Sequence, residues 1–179
     1  LPAGRRDRWL DLGCGSAFAA LARPELGARI TGIDRNPRAV EYARLGVALS
    51  GIEHVEIAEG DAGGDHGRAA LVTCNAPITG DRHPAMWRRA DAEFFHRLLA
   101  AIPARVEPGG LAVVHTTRAS IPDDLPGERV FVTYSPGSLE FGILWWRPDA
   151  PARMVTMFRP LSIDRPHLDP TDREDALAH

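Results

Sequence analysis

The stretch Arg8-Trp9-Leu10-Asp11-Leu12-Gly13-Cys14-Gly15-Ser16-Ala17 decides the fold. An apolar run is broken by an acid, and two glycines follow with one residue between them. Phe18-Ala19-Ala20-Leu21-Ala22-Arg23 comes next, and its Ala and Leu content predicts a helix. The order is therefore strand, tight glycine turn, helix. Glycine tolerates positive φ and lets a ligand come close to the backbone. The start of the helix would aim free N–H groups and a partial positive charge at that ligand. A turn of this kind is also found as a purely structural corner in α/β proteins.

Arg29-Ile30-Thr31-Gly32-Ile33-Asp34 is rich in β-branched residues and predicts a second strand that closes on Asp34, 19 residues after Gly15. Asn36-Pro37 opens a helix, with Asn36 as N-cap and Pro37 at the first helical position; it runs to about Ser50 and stops at Gly51. In a doubly wound sheet the end of this strand lies beside the first glycine turn. Asp34 can then accept both hydroxyls of an adenosine ribose; otherwise it is a solvated loop acid. The dinucleotide fingerprint G-x-G-x-x-G/A wants a small residue where Phe18 stands. A ring there would keep the helix off the strand, which disfavours NAD and FAD. His54 to Glu59 alternates and predicts a third strand, followed by Gly60-Asp61-Ala62.

The pattern Asp11-x-Gly13-x-Gly15-x-Ala17 resembles the first motif of the class I S-adenosylmethionine (SAM) dependent methyltransferases, acid-x-Gly-x-Gly-x-Gly, with Ala17 where that family most often has its third glycine. The resemblance implies SAM as cofactor, held at the turn by Asp11, Gly13, Cys14 and Gly15 and after the second strand by Asp34 and Arg35. It also implies that Asp61 accepts from the adenine amine while the Ala62 backbone N–H meets the ring. Taken alone, an acid in Gly-Asp-Ala-Gly-Gly is more often a turn residue.

Ala70-Leu71-Val72-Thr73-Cys74 predicts a short buried strand, followed by Asn75-Ala76-Pro77-Ile78. This resembles the Asn-Pro-Pro-Tyr/Phe motif of the branch that methylates nitrogen attached to a planar carbon. Such a nitrogen is a poor nucleophile because its lone pair is delocalised. The resemblance implies that the Asn75 side-chain oxygen and the Ala76 carbonyl accept its two N–H bonds, with Pro77 shaping the turn, and that Asn75 also borders the cofactor. Catalysis is then mainly positioning and electrostatics. Ala76 replaces a proline, and Ile78 replaces the aromatic that would stack on a flat substrate. Asn-Ala-Pro also reads as an ordinary strand-ending turn.

Thr79 to Arg89 is a polar loop with Arg82, His83, Arg88 and Arg89 around Trp87, which reads as a solvated face and, in second place, as a rim for an anionic substrate. Ala90 to Ile102 predicts a helix whose Phe94, Phe95, Leu98, Leu99 and Ile102 share one core face. A Pro108-Gly109-Gly110 turn leads into the strand Leu111 to Thr116, where His115 reads as an edge or core histidine rather than a base. Arg129 to Tyr134 and Leu139 to Trp146 predict a hairpin, Met154 to Phe158 one further strand, and the Pro/Asp-rich stretch from Ser162 a loosely ordered tail.

The chain has 179 residues, 44% hydrophobic and 25% charged, which suits one α/β domain with a core of its own. No apolar run approaches a membrane span. A net charge of -3 argues against an extensive nucleic-acid surface. Cys14 and Cys74 make neither a metal pattern nor a disulfide framework, so no metal site is expected and a reduced, cytoplasmic setting is the default. Both cysteines end strands that neighbour each other in the family order, so a bridge between them is a second possibility beside two reduced thiols. The expected architecture is a mostly parallel, seven-stranded Rossmann-like sheet with helices on both faces and a C-terminal antiparallel hairpin. It spans residues 1–160, with a tail over 161–179.

The chain begins at Leu1, whereas family members usually carry helices or a domain before this strand. A partner domain or subunit upstream of Leu1 is therefore expected. The expected activity is N-methylation of an amide or ring-associated nitrogen in a protein, RNA or small molecule. The alternatives are O- or N-methylation of a small metabolite, or a silent SAM-binding partner subunit whose Trp145-Trp146 pair forms an interface.

Overall fold

The structure, a computed structural model, describes residues 6–75, 92–135 and 141–159. The segments Ala76-Pro77-Ile78, the basic loop Thr79 to Arg89, the turn between the hairpin strands and the tail lie outside the described residues.

Strand β1 (Arg6–Leu12) is the axis of the sheet. Trp9, Leu10 and Leu12 are completely buried, because both faces of this strand are covered. It pairs in parallel with β2 (Gly27–Asp34) on one side and β4 (Ala69–Asn75) on the other. Strand β3 (Val55–Glu59) extends the sheet beyond β2, and β5 (Val106–Thr117) lies beyond β4, all parallel. Then β7 (Phe141–Arg147) runs antiparallel between β5 and β6 (Glu128–Ser135). The order is β3-β2-β1-β4-β5-β7-β6-β8, so the sheet has eight strands rather than seven. The added strand is β8 (Arg153–Phe158), parallel to β6.

Two cores follow from the alternation of side chains along these strands. Trp9, Ile30, Leu71, Leu111 and Val113 face helices α1 (Phe18–Ala22) and α2 (Pro37–Ser50). Leu10, Leu12, Val72, Cys74, Val114 and Trp146 face α3 (Ala92–Arg105), which contributes Phe95, Leu98, Leu99 and Ile102. The caps of α2 are as the sequence implies: the Asn36 side chain accepts from the Arg38 N–H at 3.1 Å, and Gly51 stops the helix at φ 64°.

Five local expectations are corrected. Helix α1 has only five residues, so it carries little macrodipole. The Phe18 ring is 77% exposed; it faces solvent, and the small Ala17 and Ala20 make the close packing instead. The Pro108-Gly109-Gly110 turn is a bulge inside a longer β5: Ala69 pairs with Val106 but Leu71 pairs with Leu111, so residues 107–110 loop out. Helix α3 continues past Ile102 to Arg105, with Pro103 in its last turn. The Trp145-Trp146 pair is not an exposed patch. Trp146 is fully buried, and its indole N–H donates to the Pro126 carbonyl at 2.6 Å.

Cys14 and Cys74 are both free and buried, on opposite sides of the sheet. The Cys14 thiol lies over Gly32, where an added Cβ would come within 2.9 Å of its sulfur, whereas Cys74 belongs to the α3 core. Burial raises both thiol pKa values, that of Cys14 to about 12.

Candidate functional site

The carboxyl ends of β1, β2, β3, β4 and β5 meet at one edge, the place where open α/β sheets bind ligands. After β1 the backbone turns left-handed at every second residue: φ is 68° at Gly13, 56° at Gly15 and 60° at Ala17. Among the described residues, a Cβ added at Gly13 or Gly15 would meet nothing within 4 Å, so they leave the space above both open. Ala17 carries the left-handed cost of about 1 kcal/mol, and its methyl is fully buried against the core. The cradle is thus made by this alternation of backbone conformation and not by a helix terminus.

Asp34 ends β2 beside the turn. One carboxylate oxygen accepts the Gly15 N–H and the other accepts the Asn36 N–H, each at 2.8 Å. Each oxygen keeps a further lone pair, so two hydroxyls can still bind. The Cys14 N–H is spent on the Ile33 carbonyl at 2.9 Å, which leaves that backbone group unavailable to a ligand. Arg35, next in the chain, is exposed. The Asp34 carbonyl accepts the Gly60 N–H at 2.9 Å, joining the end of β2 to the loop that carries Asp61.

In that loop Asp61 is exposed and Ala62 is buried. One Asp61 oxygen accepts the Gly63 N–H at 2.7 Å, so the acid does shape its own turn, and its carbonyl meets His66 Nε2 at 2.7 Å. Two arginines staple the loop, one at each end. Arg105, from the end of α3, donates to the carbonyls of Gly63 at 2.7 Å and Gly64 at 2.5 Å. Arg8, from β1, donates to those of His66 at 2.9 Å and Arg68 at 3.0 Å. Desolvation lowers the Arg105 pKa, with Asp65 and Asp61 opposing it.

Beneath the turn lies Asp11, 5% exposed. The Trp9 indole N–H donates to Thr73 Oγ1 at 2.6 Å, and Thr73 donates onward to Asp11 at 2.5 Å. Burial pushes the Asp11 carboxyl up to about 6, the Thr73 bond pulls it down, and the Asp34 charge adds to the rise. Both acids also raise the Cys14 thiol. The site is therefore an electronegative pocket edge, suited to a cation.

Asn75 ends β4, one residue beyond Cys74, which pairs with Leu12. It is exposed beside the glycine turn, and its Oδ1 lies 2.8 Å from His115 Nδ1. His115 is its register partner on β5. The other ring nitrogen, Nε2, is in hydrogen-bond contact with the Tyr134 hydroxyl, and the two rings stack at 5.8 Å and 11°.

Residues 4–117 match the family described as Methyltransferase domain. The chain belongs to the class I SAM-dependent methyltransferases. This methyltransferase is 33% identical over 108 residues to a ribosomal protein L11 methyltransferase of Geobacter sulfurreducens, a match covering 60% of this chain and 31% of that protein. It is 44% identical over 52 residues to the enzyme of the same name in Clostridium botulinum, covering 28% of this chain and 17% of that one. The chain thus matches less than a third of the length of these relatives. Among solved structures, a predicted O-methyltransferase from Agrobacterium tumefaciens aligns at TM-score 0.61 and 20% identity over 97% of this chain and 90% of its own. A TehB-like SAM-dependent methyltransferase from Corynebacterium glutamicum aligns at 0.59 and 17%, over 82% and 83%. Those two likenesses concern the fold.

The cofactor of this family is SAM, and the residues present fit it: an open cradle, an Asp34 with spare acceptor capacity, and the buried Asp11 beneath the turn. The structure brings Asp11, Gly13, Gly15, Asp34, Asp61 and Asn75 to one edge; Ala76 and Pro77 lie outside the described residues. The sequence reading missed Thr73, Arg105, Arg8 and Tyr134, and it took His115 for a bystander. His115 was within reach, since it lies two residues from the end of the strand next to the one that Asn75 ends.

Proposed function

We propose that the methyltransferase transfers a methyl group to a nitrogen attached to a planar carbon, with Asn75 orienting the acceptor. The observation that carries this is an exposed Asn75 at the end of a buried strand, next to the glycine turn, with its oxygen anchored by His115. A carboxamide oxygen has two lone pairs; His115 occupies one, and the other remains for an acceptor N–H. The anchor restricts rotation of the side chain, which is what positioning catalysis needs. When bound, SAM supplies an electrophilic methyl on a positively charged sulfur. Gly13 and Gly15 give it room, Asp34 takes its ribose hydroxyls, Asp61 and Ala62 border its adenine, and Asp11 offsets its positive charge.

The ribosomal protein L11 methyltransferases among the relatives support a protein acceptor. A second reading, methylation of a hydroxyl, is favoured by the contact of His115 with Tyr134, because a hydroxyl acceptor must shed a proton. Labelled SAM incubated with purified ribosomal protein L11, and separately with a cell extract resolved into protein, RNA and small-molecule fractions, distinguishes the two by where label appears and by whether the labelled product is an N-methyl or an O-methyl compound.

Asn75→Ala should leave SAM affinity in titration nearly unchanged and slow methyl transfer by roughly 10²–10³-fold, the scale of losing one oriented polar group. Asn75→Asp should also be slow, since its charge favours the cationic ground state over the charge-dispersed transition state. Parent-like turnover in both variants removes Asn75 from the mechanism.

A further inference from the structure

We propose that Tyr134 is a positioning residue for Asn75: its hydroxyl fixes the tautomer of the His115 ring, and the ring in turn fixes which end of the Asn75 carboxamide is presented to the methyl acceptor. This rests on the function proposed above for Asn75 and adds a residue to which that reading gives no role.

The dependence follows from valence. The Asn75 atom that meets His115 Nδ1 is the amide oxygen, which can only accept. Nδ1 therefore carries the ring proton, and in the neutral ring Nε2 is a lone pair. The Tyr134 hydroxyl, in contact with Nε2, donates to it. Which ring nitrogen is protonated is set by the hydrogen bond that the other one makes. Without the Tyr134 donor, nothing among the described residues holds Nε2 unprotonated. With the proton moved to Nε2, Nδ1 becomes an acceptor, and only the NH2 end of Asn75 can meet it. The carboxamide then turns over, and its nitrogen stands where the acceptor N–H needs an oxygen.

The sheet explains how the three side chains line up. Asn75 and His115 are register partners on β4 and β5, and His115 is opposite Ile143 on β7, which is opposite Val132 on β6. Tyr134, two residues beyond Val132, shares their face. It sits where the β6–β7 register shifts between Thr133 and Ser135, a bulge of the kind that re-aims a side chain. Its hydroxyl meets the ring on the side away from Asn75, so it stands behind the site and not in it. Desolvation lowers the His115 pKa and raises that of Tyr134, so near neutral pH the imidazole is uncharged and the phenol keeps its proton.

The lock also bears on the acceptor class. A ring engaged at both nitrogens has no lone pair left for a substrate proton, whereas methylation of a hydroxyl with His115 as its base needs Nε2 free. A nitrogen acceptor needs no base at the moment of transfer. Its own electron pair forms the bond to the methyl carbon as the S–CH3 bond breaks with its pair left on sulfur. The positive charge passes to the nitrogen, which then gives its proton to water. What the protein must supply is orientation, and a carboxamide held with its oxygen at the right end supplies it. Tyr134 and His115 hold protons in place here and do not move them.

Ring-¹⁵N NMR of the histidines tests the lock without turnover. Near neutral pH His115 should show a protonated Nδ1 and a bare Nε2. Tyr134→Phe should shift protons to Nε2 and move the Asn75 side-chain amide resonances. A protonated Nε2 in the parent, or ring and amide signals that ignore Tyr134→Phe, overturns the proposal. The same variant should slow label transfer from SAM to the cell extract roughly tenfold, the rate equivalent of one hydrogen bond, while SAM affinity in titration stays that of the parent. In the Asn75→Ala background Tyr134→Phe should change the rate by less than about twofold, because it acts only through Asn75. Equal slowing in both backgrounds makes Tyr134 a general structural residue and overturns the proposal, as does a parent-like rate in Tyr134→Phe alone. A parent that transfers no label, or an Asn75→Ala variant as fast as the parent, overturns the function proposed above. The ring and amide resonances then decide by themselves whether Tyr134 sets the end that Asn75 presents.

Discussion

Asp11 lies inside the fold, and burial drives its carboxyl up to about 6 although Thr73 donates to it. A carboxyl whose folded pKa exceeds its unfolded one binds protons better in the native state. Its contribution to stability is therefore present below the unfolded value of 3.8 and is lost as pH rises through about 6. Asp11→Asn keeps an acceptor for Thr73 and removes the charge. Without cofactor it should be more stable than the parent above that window, by roughly 1–3 kcal/mol, and lose the advantage below pH 4; urea unfolding across that range checks this, and a destabilised variant at high pH would refute it. SAM affinity should move the other way, tightening in the parent as pH rises through about 6 and weakening in the variant. Asp34 behaves differently because it is tied into the backbone. Asp34→Ala should weaken SAM binding by about 1.5–3 kcal/mol, the scale of hydrogen bonds to a charged group. It should also lower the melting temperature of the cofactor-free protein, because the Gly15 and Asn36 N–H groups lose their acceptor. The positive φ of Gly13 and Gly15 and the closeness of Asp34 to that turn were legible in the sequence, because they follow from local conformation and a short spacing. Thr73 and Trp9 were not. They read as ordinary strand residues, and only the β1–β4 register brings their polar atoms together.

Among the elements, α3 does more than cover the core. Its last residue, Arg105, is 6% exposed and reaches back to the carbonyls of Gly63 and Gly64, in the loop that would border adenine. Its Nε and Nη1 have no partner among the described residues, so the side chain is an expensive way to hold a loop. Arg105→Met should therefore cost the whole fold little, because a partly unsatisfied buried cation is replaced by an apolar chain of similar length. Amide exchange at residues 61–66 should nevertheless quicken, and SAM affinity should fall. If exchange there is unchanged, Arg105 does not order the loop. By contrast, Leu99→Ala on the same helix should cost about 2–5 kcal/mol globally and leave exchange in the loop in proportion to the rest. The core face of α3 was readable from helical spacing because burial follows period. Its end was not, because Pro103 is tolerated in the last turn. Helix α1 was legible to within one residue, ending at Ala22 because Pro24 opens a 3-10 turn. The bulge in β6 carries no distinctive composition, which is why the approach of Tyr134 to His115 could not be read from the chain.

Over the whole molecule, two sets of polar groups do separate jobs. The ends of β1 and β2 and the loop after β3 bring acids to the cofactor edge, while β4, β5 and β6 carry the polar line from Asn75 through His115 to Tyr134. This division makes the electrostatics of the cofactor side testable on their own. Asp11 and Asp34 each raise the pKa of Cys14, which shows that their fields overlap at the turn. A cationic sulfur bound there is attracted; the neutral sulfur of the product, S-adenosylhomocysteine, is not, although the two ligands share every other group that the turn, Asp34 and Asp61 would touch. Raising salt from about 0.1 to about 1 M shortens the screening length from ~10 Å to ~3 Å. SAM affinity should then fall by about 1 kcal/mol more than that of the product, or roughly fivefold, the size of one charge pair at about 4 Å in water. Titration calorimetry with both ligands at the two salt concentrations measures the difference directly. In Asp11→Asn the gap should shrink, because one of the two acids has gone. Equal salt dependence for the two ligands would mean that the acids do not act on the sulfur, and that shape and the ribose contacts alone select the cofactor.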